Sequence, residues 1–141
     1  MAVFNGLAQV LIGEGYVDEG FVRERADGVT ELRELLDDYT PQAVERISGV
    51  PAGELVRAAR LYGEAERAGI VYGLGVTEHA HGTDGVRTLA NLAILTGSVG
   101  ISVFPDDASD LNMLIRNADV AMYQAKARGR NGYQFYAPSM T

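Results

Sequence analysis

Val99-Gly100-Ile101-Ser102-Val103-Phe104, the turn Pro105-Asp106-Asp107-Ala108, the run Leu111-Asn112-Met113-Leu114-Ile115-Arg116-Asn117-Ala118-Asp119-Val120-Ala121-Met122-Tyr123-Gln124-Ala125, and then Tyr133-Gln134-Phe135-Tyr136 together decide the fold class. The first stretch is short, apolar and closed by proline, which suits a buried strand. In the second, Leu111, Leu114, Ile115, Ala118, Met122 and Ala125 recur at i, i+3, i+4, i+7, i+11 and i+14, the spacing of one helical face. Ser109 is the expected N-cap and Gly129 the expected stop. Tyr133–Tyr136 reads as another strand. Working upstream, Ile70-Val71-Tyr72 is a further short strand, Gly73–Gly82 a loop, and Thr83 caps a helix through Leu95 that is apolar on nearly every side and therefore expected to be buried. Residues 70–136 thus predict a small three-stranded β-α-β-α-β sheet unit with right-handed crossovers.

The first half is predicted to be a helical layer beside that sheet. Val3–Ile12 is apolar-rich and stops at Gly13 and Gly15, and Val29–Leu36 carries Leu32, Leu35 and Leu36 at helical spacing. Thr40-Pro41 places a capping hydroxyl before a proline at the first helical position, starting a helix to about Ile47. Pro51 opens another, with Leu55, Ala58, Ala59, Tyr62 and Ala65 as its apolar stripe and Gly69 as its end. The class is therefore α/β, a helical N-terminal layer followed by the sheet unit. No Pro/Gly/Ser-rich linker interrupts the chain, so one structural unit is expected.

The 141 residues are 47% hydrophobic and 22% charged, as in soluble globular proteins. A net charge of −7 disfavours nucleic acid and anionic membrane as partners. Residues 1–100 hold 15 acids and 8 bases, whereas residues 101–141 hold 4 of each; two origins, or chance, would give this asymmetry. The absence of Cys excludes disulfides, thiolate zinc sites, cysteine-ligated iron–sulfur clusters and a cysteine nucleophile. Met1–Leu11 lacks the basic flank of a signal peptide, so a cytoplasmic location is expected. Thr88–Pro105 is uncharged, but its polar interruptions read as helix plus strand rather than a membrane span. Oligomeric state is not fixed by any of these features.

Two constellations carry chemistry. Gly73 and Gly75 strip side chains from a strand end before a helix N-terminus, where backbone can approach a ligand; a tight strand-to-helix turn explains the same glycines, and Asp84 competes for the free N–H groups. His79 and His81 flank Ala80, near Glu78 and Asp84, either as a metal pair or as loop histidines with local hydrogen bonds; no third ligand sits at a familiar spacing, and no metal is expected. Lys126, Arg128 and Arg130 cluster at a helix C-terminus, either complementing its dipole or, with Lys126 and Arg130 at i, i+4, gripping one small anionic ligand.

The string Tyr72-Gly73-Leu74-Gly75-Val76-Thr77-Glu78-His79-Ala80-His81-Gly82-Thr83-Asp84, followed by Val86-Arg87 and Leu89–Gly97, is similar to formate dehydrogenase large subunits of the molybdopterin oxidoreductase family. Phe4–Ala8, Tyr39-Thr40-Pro41, Ser48–Pro51 and Ala58–Tyr62 extend that resemblance over residues 2–100. It implies an α/β domain that grips molybdopterin guanine dinucleotide, with Leu74, Gly75 and Glu78 at the pterin; Glu78 stands where the family often has Gln. The family also requires a Cys or selenocysteine metal ligand and cluster cysteines, and this sequence has no Cys, so no bound cofactor is expected.

Ser98–Asp107, Leu114–Lys126 and Gly129-Arg130-Asn131 resemble the C-terminal end of a GGDEF diguanylate cyclase domain, over residues 98–141. The ending Phe135–Met140 is similar to the exit into a following EAL phosphodiesterase domain. The resemblance implies that Lys126 and Arg130 contact the phosphates of Mg/GTP. The Gly-Gly-Asp/Glu-Glu-Phe signature and its metal-binding carboxylates are absent, and Arg116-Asn117-Ala118-Asp119 fits an inhibitory RxxD only by chance, since that motif precedes the signature.

Residues 1–100 are therefore expected to be a formate dehydrogenase-like fragment and residues 101–141 a GGDEF-like fragment, joined near the shared string Ser98-Val99-Gly100. Neither carries a complete active site. The expectation is a catalytically incomplete fusion; a weak nucleotide- or pterin-binding module, or a regulatory or interaction domain related to cyclic di-GMP signalling, is the alternative.

Overall fold

The computed structural model describes residues 1–65, 68–70, 72, 74–78, 80–97, 99–102, 106–127 and 133–140. Its architecture is α/β, with most of the chain helical. The helical layer comprises α1 (Ala2–Gly13), α2 (Glu19–Arg25), α3 (Val29–Leu36), α4 (Pro41–Ser48) and α5 (Ala52–Glu64). α1 lies at its centre, packed on α3, α4 and α5. A side chain at position 6 would stop this: a Cβ there would stand 2.8 Å from both Leu55 Cδ2 and Val44 Cγ2. The core gathers Ala8, Val10, Leu11, Phe21, Val22, Leu36 and Ala59 with Leu92 and Leu95 from later in the chain.

Local chemistry sets most boundaries. The Thr40 hydroxyl accepts from the Ala43 N–H at 3.3 Å, with Pro41 opening α4, and Gly49 ends it at φ +78°. α2 has no apolar period in Gly15–Arg25 to announce it; Asp18 starts it by accepting from the Phe21 N–H at 2.9 Å. α5 stops at Glu64, short of Gly69, and Ala65 is extended. Its buried residues are Leu55 and Ala59, with Val56 and Tyr62 against the core, while Ala58 and Ala65 are exposed. Gly63 sets this face: a Cβ there would lie 2.6 Å from the Tyr16 ring.

The expected loop before the next helix contains one helical turn, α6 (Leu74–Thr77). α7 (Gly82–Leu95) starts with His81, not Thr83, at its N-cap. Gly82 is needed there, because a Cβ would run into the Thr77 carbonyl. α7 packs on α1 and α2 and is buried along Gly82, Gly85, Leu89, Leu92 and Leu95, but Ala90 is exposed, so it is not enclosed on all sides as expected.

β1 (Val99–Ile101) runs parallel to β2 (Tyr133–Phe135), with Val99 opposite Tyr133, Gly100 opposite Gln134 and Ile101 opposite Phe135. Among the described residues the sheet has two strands, not three. Ile70 and Tyr72 belong to no strand, and Val71 lies outside the described residues, as do Val103 and Phe104 of the longer strand expected. Between the strands runs α8 (Leu111–Ala127), and Pro138–Met140 form a 3₁₀ turn beside it. Asp110, rather than Ser109, starts α8 by accepting from the Met113 N–H at 2.9 Å.

The inward face of α8 also differs from the expected stripe. Asn117, Ala121, Met122 and Ala125 are buried, whereas Leu111 and Ile115 are 54% and 49% exposed. Asn117 Nδ2 donates to the Asp107 carbonyl at 2.8 Å, tying the helix to the preceding turn. A 17-residue helix is about 25 Å long and a three-residue strand about 10 Å. The first turns of α8 therefore outreach the sheet.

The two sets of contacts meet between Gly97 and Gly100. The Asp18 N–H donates to Leu95 O at 2.9 Å, and a Cβ on Gly97 would come within 3.0 Å of Asp18 Oδ2, so this end of α7 sits on the helical layer. Gly100 sits on α8, where a Cβ would lie 2.7 Å from Met122 Cβ.

Candidate functional site

The first constellation is built on α6 and the start of α7. Gly75 is exposed, and a Cβ there would meet nothing within 4 Å. Glu78, just past α6, is exposed too. Leu74 is the first residue of α6, and its side chain, like all of Gly73 and His79, lies outside the described residues. His81 Nδ1 stands 3.9 Å from Asp84 Oδ2, and Arg87 reaches the other oxygen at 3.5 Å. The Asp84 carboxylate thus lies between two basic side chains of its own helix start. No group of three His, Asp or Glu able to hold a metal occurs among the described residues.

A molybdopterin dinucleotide fits this arrangement poorly. A carboxylate at Glu78 offers acceptors to an amino-bearing ring edge but no donor to a pyrophosphate. With Gly75 facing open space, the described residues form no cradle. No chemical step is derived through that group.

The second constellation is placed only in part. Lys126 lies in the last turn of α8, but its side chain and the whole of Arg130 are outside the described residues.

The structure adds a feature without local sequence signal. An open groove of about 630 Å³ runs between α4 and α5, lined by Pro41, Gln42, Ala52, Val56, Arg60 and Leu61 among others. Arg60 donates from Nε and Nη2 to the two oxygens of Glu14, each at 2.8 Å, and Arg57 to Glu54 at 2.7 Å. Both cations on this groove, Arg57 and Arg60, are paired with carboxylates. The Tyr16 hydroxyl donates to Glu64 at 2.9 Å, which raises its pKa, and the bond from Arg60 lowers that of Glu14. These partners are 46 and 48 residues apart, beyond any local motif.

Comparison with known proteins returns two likenesses. Residues 76–132 match the diguanylate cyclase GGDEF domain family. Over 100 residues, 71% of the chain, the sequence is 40% identical to the F420-dependent formate dehydrogenase subunit alpha of Methanocaldococcus jannaschii, and over the same share 43% identical to formate dehydrogenase H of Escherichia coli. The chain spans 15% and 14% of the lengths of those two proteins. In fold, 71% of it matches 15% of acetylene hydratase from Pelobacter acetylenicus, with a TM-score of 0.65 at 24% identity.

The chain therefore carries a formate dehydrogenase-like segment and a GGDEF-like segment. The overlap between them is wider than Ser98–Gly100. The GGDEF match begins at Val76, and a 100-residue match cannot share 141 residues with it unless both claim much of the same stretch.

Proposed function

We propose that this stretch of chain is a catalytically incomplete fusion of a formate dehydrogenase-like and a GGDEF-like fragment, located in the cytoplasm, with no complete active site of either kind. The observation that carries the reading is the pair of likenesses itself, the larger covering only about a seventh of its relatives. The Cys-free sequence supports it, since thiolate ligation is closed to these residues. No helix among the described residues is long and apolar enough to cross a membrane. Purified protein is expected to oxidise no formate, to form no cyclic di-GMP from GTP, and to hold no molybdenum by elemental analysis. Turnover of either substrate, or about one molybdenum per chain, overturns the reading.

Any residual affinity is assigned to Lys126 and Arg130 for phosphate, and to Leu74, Gly75 and Glu78 for a pterin. Two cations without the rest of a site would bind on the order of millimolar, about 4 kcal/mol, and would weaken with salt. Titration with pyrophosphate at low and high salt, beside the Lys126→Ala/Arg130→Ala variant, tests the phosphate assignment. Equal binding by the variant, or binding insensitive to salt, ends it.

A further inference from the structure

A second, smaller cavity of about 190 Å³ lies among α2, α3 and α7. Its walls are apolar: Val22 from α2, Val29 and Leu32 from α3, Ile94 and Leu95 from α7. Val22 and Leu95 belong to the buried core, and Val29, Leu32 and Ile94 are packed against it, so the floor is fixed by the fold of the helical layer. An apolar cavity of roughly 150 Å³ takes up a six-carbon ring. This one therefore has room for a branched aliphatic side chain.

Three polar side chains line the same cavity: Arg25 in the last turn of α2, Asp27 two residues on, and Asn91 of α7. Arg25 and Asp27 are exposed and Asn91 is half-buried, which puts the charges toward the mouth and the amide deeper. None of the three has a side-chain hydrogen bond or ion pair among the described residues. Other charges of the helical layer are matched: Arg33 holds Glu19 at 2.6 Å and Arg60 holds Glu14 at 2.8 Å. Here a cation and an anion share one opening without pairing.

We propose that this cavity binds a free α-amino acid with a branched aliphatic side chain: the side chain between Val22, Val29, Leu32 and Ile94, the carboxylate on Arg25, the ammonium on Asp27. The pairing of charges selects a zwitterion. A simple carboxylic acid would satisfy Arg25 but meet repulsion from Asp27, and a simple amine would do the reverse. The guanidinium fork of Arg25 suits a carboxylate. Asn91 offers both amide donors and a carbonyl acceptor, so it can bond either head group. The size of the cavity limits the ligand to a single small side chain, and its walls offer a polar side chain no partner beyond Asn91. Lys126, Arg130, Leu74, Gly75 and Glu78 take no part, so the inference stands apart from the phosphate and pterin assignments.

Calorimetric titration of the full chain with L-leucine tests this. Saturable binding is expected, on the order of millimolar, as suits a small ligand at an open mouth. Leucinamide lacks the carboxylate, isocaproate lacks the ammonium, and glycine lacks the side chain. Each should bind about tenfold or more weakly, because each leaves a charge or the apolar wall unmatched. D-leucine should also bind more weakly, since three fixed contacts fit one hand. Arg25→Gln and Asp27→Asn should each weaken L-leucine by about tenfold or more. Both positions are exposed, and unchanged melting temperatures show that the variants fold. No saturable binding of L-leucine overturns the proposal. Isocaproate or leucinamide binding as tightly as L-leucine overturns it too, because the site would then read one charge only. So does wild-type affinity in both variants.

Discussion

Arg60 holds both carboxylate oxygens of Glu14 at 2.8 Å, fastening the end of α1 to the last turns of α5, where Tyr16 also bonds Glu64. The bond from Arg60, aided by its charge, lowers the Glu14 pKa from its ordinary 4.5. A lowered folded-state pKa stabilises above the unfolded value, and that stabilisation is lost as pH falls through the folded one. Arg60→Met should therefore be less stable than wild type at neutral pH, by a small amount that salt reduces, since the pair is exposed. Urea midpoints followed from pH 7 to 2 should converge at the acid end. A gap that stays constant across the range would show that the pair contributes through packing alone.

Tyr16 carries the opposite sign. Its hydrogen bond to Glu64, with the nearby carboxylate charge and some desolvation, raises its pKa above the ordinary 10.0. Its contribution is complete below pH 10 and is lost as pH rises through the folded value. Tyr16→Phe should abolish that alkaline dependence, and titration of phenolate absorbance near 295 nm should show one tyrosine less ionising above the ordinary range. Tyr62, half-buried and raised by desolvation, remains as an internal reference.

Two glycines of α5 should respond to alanine in opposite directions. At Gly53 nothing lies within 4 Å of a new Cβ, so Gly53→Ala should stabilise by about 0.5–1 kcal/mol through helix propensity. At Gly63 the Cβ would stand 2.6 Å from Tyr16 Cγ and 2.8 Å from Leu11 Cδ2. Gly63→Ala should destabilise by about 1–3 kcal/mol through overpacking. Denaturant midpoints measure both, and equal signs would show that α1 and α5 separate more readily than their packing implies.

Helices with punctuation were legible in the sequence: Thr40, Pro41 and Gly49 mark α4 at both ends, and the 29–36 period marks α3. Legibility failed where a distant partner decides. α2 rests on one Asp18 side chain, and the face of α5 on Tyr16 lying against Gly63. The inward face of α8 keeps Met122 and Ala125 of the apolar stripe but turns toward Asn117, which reaches the Asp107 carbonyl, a polar anchor that a hydrophobic count places outside. The third strand was read from the short run at Ile70–Tyr72, whose first and last residues pair with no strand. Among the candidate ligands, Gly75 and Glu78 are placed together on one exposed segment. Of the cation pair, Lys126 lies in α8, while its side chain and Arg130 lie outside the described residues.

Gly100 gives the sharpest test of how the C-terminal segment is held. A Cβ there would meet the Ala118 carbonyl oxygen and the Met122 amide nitrogen of α8, besides Met122 Cβ at 2.7 Å. Two of these three atoms are backbone, so no rotamer change relieves the clash, and β1 must move off α8. Gly100→Ala is therefore expected to cost at least the 1–3 kcal/mol usual for overpacking, and Gly100→Val more. The loss should be local. The Tyr136 N–H, which donates to Ile101 O at 2.8 Å, and the amides around Met122 should exchange hydrogen faster. The Asp18 N–H, bonded to Leu95 O on the other side of Gly97, should keep its protection, because its partners belong to the helical layer. Hydrogen exchange resolved by residue reads both sets in one sample. Unchanged exchange at Tyr136 would mean that β1 is not seated on α8. Equal loss at Asp18 would mean that the helical layer depends on that seat, and that its core of Leu11, Leu36, Leu92 and Leu95 does not hold by itself.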